Sequence, residues 1–251
     1  MKQQKYLPFV LALSLTPAVA QAADVRLGLV SYWPLNELSA DQATTPDVVG
    51  GNHFTVIGLD PSYVVPGKRG NALSFNGVDQ YAFYIDPPER DSGLPIAQGH
   101  RYSVAFWVKG AGAGQSDRRM FSESSSLTTD PLVNLGTHNA GTDGTVDVFI
   151  RNSGAQINHA HSPGTALDDA WHHIAWTDDA GNGSLYLDGV LNTNFVYAPG
   201  PTAYDTTSIG AIVRGGGDNV GAFFAGLIDD VAVWERVLSP AEVQEVATTG
   251  L

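Results

Sequence analysis

Four carboxylates, Glu37, Asp47, Asp79 and Asp229, stand beside the ends of apolar runs. A calcium ion takes roughly six to eight oxygen ligands and can draw them from separate loops, so these four form a candidate metal set. The sequence contains neither an EF-hand loop nor a glycine-rich nonapeptide repeat, so any such site has to be assembled by the fold. The alternative use for the same groups is capping turns and accepting backbone N–H bonds. Seven histidines include His159-Ala160-His161 and the adjacent His172-His173. On a strand, i and i+2 share a face, so His159 and His161 have the spacing of a zinc-chelating pair, whereas His172 and His173 point opposite ways. Arg118, Arg119 and Arg214 lie in glycine-rich stretches, where guanidinium forks either hold a carboxylate, such as an acidic sugar, or are simply solvated. No catalytic residue is assigned, since Gly-x-Ser-x-Gly is absent and Ser122 to Ser126 reads as an ordinary polar loop.

The elements that must position these groups read as short strands. Leu29 to Leu35, Ala72 to Phe75, Gln80 to Ile85 and Tyr102 to Lys109 come first. In the last of these, Tyr102, Val104, Phe106 and Val108 share a core face. Leu132 to Leu135, Val146 to Arg151, Gln156 to Ala160, Trp171 to Thr177, Ser184 to Leu187, Thr207 to Ala211 and Phe223 to Trp234 follow, separated by Gly, Asn and Asp. Asn76-Gly77 and Asp188-Gly189 signal tight hairpins, and Gly110 to Arg119 reads as a surface loop. Strands this regular, with turn signals between them, predict an all-β, two-sheet antiparallel sandwich.

The C-terminal stretch Gly226-Leu227-Ile228-Asp229-Asp230-Val231-Ala232-Val233-Trp234 is a strand pattern, and Ser239-Pro240-Ala241-Glu242 combines an N-cap Ser, Pro at the first helical position and Glu at the third. This predicts one short terminal helix. The stretch through Arg236, Leu238 and Glu242 resembles the closing motif of laminin-G-like, concanavalin-A-like sandwich domains of bacterial extracellular proteins. Tyr32 to Glu37, Phe75-x-Gly77-x-Asp79-x-Tyr81, Trp171 to Ala175 and Leu185 to Gly189 match further motifs of these domains in order. The resemblance implies a jelly-roll sandwich with ion ligands in the loop from Asn36 to Asn52, no metal at His172-His173, and Trp33, Trp107, Trp171 and Trp234 in core strands. Trp176, Tyr84, Tyr197 and Tyr204 are left as candidate sugar platforms. Retaining glycosidases of the fold carry Glu-x-Asp-x-x-Glu, which is absent. Alginate lyases of the fold carry Gln-Ile/Val-His, where this chain has Gln156-Ile157-Asn158.

Met1 to Lys5 is basic, Tyr6 to Val19 is an uncharged apolar run, and Ala20-Gln21-Ala22 is a small-x-small cleavage pattern. Residues 1–22 therefore read as a secretory signal peptide and 23–251 as one sandwich domain, secreted to the periplasm or cell exterior, with no membrane span once the leader is cleaved. Loss of Lys2 and Lys5 takes the formal charge from −13 to −15. Such an acidic chain without a basic cluster disfavours nucleic acid as a partner. The absence of cysteine excludes disulfides, thiolate metal sites and thiol nucleophiles. The functional expectation, which rests on the resemblance, is a lectin-like, non-catalytic carbohydrate-binding module with a structural calcium ion. The alternatives are a glycoside hydrolase or polysaccharide lyase on the same fold, or an adhesion or matrix module that binds protein.

Overall fold

The computed structural model describes residues 24–87, 94, 96, 99–200 and 203–251; the expected signal peptide lies outside them. In chain order the strands are β1 (Leu29–Trp33), β2 (Thr44–Thr45), β3 (Phe54–Ile57), β4 (Val64–Pro66), β5 (Asn71–Asn76) and β6 (Tyr81–Ile85). Then come β7 (Arg101–Lys109), β8 (Arg119–Ser124), β9 (Leu132–Thr137), β10 (Thr145–Arg151), β11 (Ala155–Thr165) and β12 (His172–Asp179). The chain closes with β13 (Asn182–Leu187), β14 (Val190–Val196), β15 (Thr206–Ile209), β16 (Ile212–Arg214), β17 (Asn219–Gly221), β18 (Ala225–Trp234) and a helix over Pro240–Thr249.

These strands form the expected antiparallel sandwich. The first sheet runs β14-β13-β12-β7-β18-β5-β4, with β1 also paired to β18. The second runs β11-β10-β9-β8-β15-β6-β3-β2, and β16 and β17 make a separate hairpin. Alternation sends one residue in two inward, as predicted for β7, where Tyr102, Val104, Phe106 and Val108 all join the inter-sheet core. Trp33 stacks on Phe54 at 4.2 Å across that core. Asp188 and Gly189 both take positive φ, 52° and 79°, the geometry of the predicted type I′ turn.

The terminal helix begins as read. Ser239 Oγ accepts from the Glu242 N–H, Glu242 Oε2 accepts from the Ser239 N–H at 2.8 Å, and Pro240 opens the first turn. No helix among the described residues is long and apolar enough to cross a membrane.

Several aromatic expectations are corrected. Trp171 is only half-buried, because it lies one residue before β12 and has no place in the alternation. Trp176 is fully buried and donates from Nε1 to Tyr102 Oη, so it is core and not a sugar platform. Tyr204 is likewise buried, Tyr84 is half-buried against the core, and Tyr197 spends its hydroxyl on Asp178.

Candidate functional site

The outer face of the second sheet carries a cluster of polar and charged side chains. On β10 the core takes Val146, Val148 and Ile150, which turns Asp147, Phe149 and Arg151 to the opposite face. The pairing register aligns Arg119 with Gly136, Gly136 with Asp147, and Asp147 with His161, one transverse row across β8, β9, β10 and β11. Gly136 is essential to that row. A Cβ there would stand 2.2 Å from the Arg118 carbonyl oxygen and 3.2 Å from Arg119 Nη1, so only glycine lets the guanidinium lie across β9.

A bulge adds a second histidine. Between the pairs Val148–Ala160 and Ile150–Ile157, β11 has one residue more than β10, and His159 absorbs the difference with φ 51°. His159 Nδ1 then lies 3.0 Å from Asp147 Oδ2, and His161 Nε2, which meets Asn139 Oδ1 at 3.0 Å, lies 3.2 Å from Oδ1, so one fully buried carboxylate stands between two imidazoles and is hydrogen-bonded to the first. The His159 ring also stacks on Phe149 at 4.7 Å.

The β16–β17 hairpin folds over the neighbouring part of this face. Ser208 Oγ donates to the Ala211 carbonyl at 2.9 Å, Ser124 Oγ to that of Val213, and the Arg119 N–H to that of Ala222 at 2.9 Å. Between hairpin and strands is a partly open cavity of about 290 Å³. Arg119, Arg151 and Arg214 converge on it with Asp117, His159 and the ring of Phe149. Leu132 and Ile212 supply apolar wall.

The charges within the cavity are only partly matched. Asp117 Oδ1 lies 2.6 Å from Arg119 Nη1, and Asp130 Oδ1 lies 2.8 Å from Arg151 Nε. Arg214 donates from Nη2 to Asn219 Oδ1 at 2.6 Å and has no acidic partner among the described residues. Nε of Arg119 and Nε of Arg214 are both buried without a hydrogen-bond partner among those residues. Burial lowers the Arg214 pKa, and the positive charges of Arg151 and Arg119 lower it further. Burial also pushes the Asp147 carboxyl up, while the hydrogen bond from His159 and the charges of His159, Arg119 and His161 pull it back. Potential ligand atoms of Asp117, Asp147 and His159 lie within 4.8 Å of one another. The Arg119 guanidinium already occupies Asp117, so a metal ion there would sit beside a fixed positive charge.

The four carboxylates expected to bind calcium fall elsewhere. Asp47 accepts four backbone N–H groups: Tyr32, Val49 and Gly50 on Oδ1 and Asn52 on Oδ2. Asp229 Oδ2 accepts those of Lys68 and Arg69. Asp79 accepts from Asn76 Nδ2 in the β5–β6 turn, and Glu37 is exposed. Donors surround Asp47, which is the turn-capping use of a carboxylate, whereas Asp229 takes two donors on Oδ2 and its buried Oδ1 has no hydrogen-bond partner among the described residues.

Of the three arginines singled out in the sequence, Arg119 and Arg214 reach the cavity, and Arg118 does not line it. Arg119 is a buried strand residue and not the loop side chain expected, because Gly136 opens room for it. His159 and His161 share a partner as their spacing allowed, although the bulge lies between their neighbours and could not be read. Asp117, Asp147, Phe149 and Arg151 were missed. The alternation of Val146 to Arg151 was the available signal, since a core-facing series implies that Asp147, Phe149 and Arg151 lie together on the other face.

Domain 4 of AbnA, an extracellular arabinanase from Geobacillus stearothermophilus solved with arabinotriose, superposes with a TM-score of 0.59 at 20% identity, covering 88% of this chain and 98% of that one. Trypanosoma rangeli sialidase, solved with sialic acid, gives 0.64 at 16% identity over 88% of this chain and 33% of its own. The binding domain of botulinum neurotoxin serotype D/C gives 0.64 at 9% identity, over 91% and 53%. This chain thus corresponds to a third of the sialidase and half of the toxin domain, and at these identities the likeness establishes the fold alone. No curated protein matches the chain in sequence. The model of the concanavalin A-like lectin/glucanases superfamily matches residues 79–244, and the chain belongs to that family.

Proposed function

We propose that this protein is an exported, lectin-like carbohydrate-binding module whose glycan site is the cavity between β8–β11 and the β16–β17 hairpin. The observation that carries the reading is one recess of about 290 Å³ in which a half-exposed aromatic ring, Phe149, stands among three guanidinium groups, a carboxylate and an imidazole. Sugar rings lay their C–H faces on aromatic rings while their hydroxyls take hydrogen bonds from a few fixed polar groups, and this recess offers both. The arabinotriose bound to the similar arabinanase domain supports the class of ligand. The test is a glycan array probed with residues 23–251 and with Phe149→Ala. Binding by the parent that Phe149→Ala loses supports the reading, and binding that survives Phe149→Ala moves the site elsewhere.

A glycan-active enzyme is the second reading, favoured by His159 standing 3.0 Å from the buried Asp147 at the cavity wall. An imidazole oriented by a carboxylate is a general acid–base arrangement. Shortened or unsaturated products from any bound glycan would establish it.

Export is tested by N-terminal sequencing of the protein released from cells, which should begin near Ala23. A calcium ion at Glu37, Asp47, Asp79 and Asp229 is a separate proposal, against which the four hydrogen bonds on Asp47 count. A melting temperature lowered by chelator would support it, because an ion bound to the native state stabilises by mass action; an unchanged one would end it.

A further inference from the structure

We propose that the sugar this cavity takes carries a carboxylate, held between Arg119, Arg151 and Arg214 while the ring lies against Phe149. The inference rests on the glycan-site reading above and adds the chemical class of the ligand.

The three arginines differ in how they are held. Arg151 is fixed by Asp130 and by the Thr129 carbonyl, which accepts from Nη2 at 2.5 Å, and its guanidinium lies 5.9 Å from the Phe149 ring centre. Arg119 is fixed by Asp117 through Nη1 and leaves its buried Nε without a partner. Arg214 is steadied by Asn219 and leaves its own buried Nε without a partner. A buried, unpaired N–H of a charged group is costly, and the two arginines that carry one both line this recess. Asp117 and Asp130 each answer one guanidinium, Asp147 lies against His159 and within the field of Arg119, and Arg214 has no acidic partner among the described residues. The guanidinium without an acid of its own is therefore at the hairpin edge, where one carboxylate fits its fork.

A carboxylate matches the planar fork of arginine and sits on a sugar ring without enlarging it. The apolar wall of Leu132, Ile212 and Phe149 accounts for the rest of a pyranose, which a bare inorganic anion would leave uncovered.

The experiment uses the chain from residue 23 to 251 and measures calorimetric affinity for trigalacturonate, trimannuronate and sialyllactose. Each is compared with its carboxyl-reduced counterpart and with a sulfated neutral trisaccharide, at fixed ionic strength. At least one acidic probe should bind ten times or more tighter than its reduced form. Arg214→Ala should remove that preference, and Arg214→Lys should restore only part of it, since it returns charge without the fork. Unchanged melting of both variants guards against misfolding. Equal binding of an acid and its reduced form overturns the carboxylate but leaves the glycan site standing. A sulfated sugar that binds as well as the best acid overturns the assignment to carboxylate. No binding by any probe, acidic or neutral, overturns the inference and the glycan reading together.

Discussion

The outer faces of the two sheets use the same geometry for opposite purposes. On the first sheet a transverse row joins Ala232, Ala105, Ala175 and Tyr186 across β18, β7, β12 and β13. On the second, the equivalent four-strand row is Arg119, Gly136, Asp147 and His161. Methyl side chains on the first face leave room for the terminal helix, whose Val243 and Val246 join Trp234 and Leu238 in a second apolar cluster. That face is spent on stability. The other carries the β16–β17 hairpin, and its middle strands carry charges whose cost is offset by one another and, on the reading above, by a ligand. The contrast teaches that a shared sandwich divides its labour by what covers each face.

The strongest way to break the comparison is Trp234→Ala. This indole is fully buried beneath the helix and donates from Nε1 to the Val25 carbonyl at 2.7 Å. Its removal should cost about 3–5 kcal/mol in denaturant unfolding. Glycan affinity, normalised to the folded fraction, should stay at the parent value. If affinity fell with stability, the two faces would be coupled and the division would fail.

Phe149→Ala is the reciprocal case. The ring is half-buried and leans on His159. Glycan affinity should fall tenfold or more, about 1.4 kcal/mol or above, while unfolding should lose only about 1 kcal/mol for the aromatic contact. Isothermal calorimetry beside a urea melt reads both quantities from one preparation.

How far each face was legible in the sequence follows from the kind of information that specifies it. The helix face is built from local patterns: the Ser239-Pro240-Ala241-Glu242 entry names its own cap, and alternation along β7 separates Val104 and Phe106 from Ala105. The cavity face depends on register between strands distant in sequence and on a bulge. Nothing near His159 in the chain announces the extra residue that brings it to Asp147, and Gly136 reads as a weak strand position until Arg119 is seen lying over it. The acidic strand residue Asp229 was singled out, but its backbone partners were not. Asp229 accepts the Lys68 and Arg69 N–H groups, a partnership across 160 residues that sequence spacing cannot show.

The finest test asks whether the helix side also controls the pH dependence of stability, and two of its acids predict opposite signs. Glu242 is held down to about 2, first by Arg236, whose Nη2 lies 2.7 Å from Oε1, and then by the capping bonds to Ser239. Its contribution is full above the ordinary glutamate value of 4.5 and is lost as pH falls toward 2, so Glu242→Ala should cost about 1 kcal/mol at pH 7 and progressively less in acid. Asp229 is pushed up to about 7, chiefly by burial, with backbone hydrogen bonds opposing and the Asp230 charge reinforcing the shift. An acid bound more tightly to its proton in the folded state favours folding most below its unfolded value of 3.8, and that advantage is lost as pH rises to about 7. Asp229→Asn keeps an oxygen for the Lys68 and Arg69 N–H groups and removes the titration. Its stability relative to the parent should therefore climb between about pH 4 and 7 and level off above. Urea midpoints at five pH values would show it. A difference that stayed flat through that window would mean that Asp229 is solvated well enough to titrate normally, and that the pH dependence must be sought on the cavity face, at Asp147.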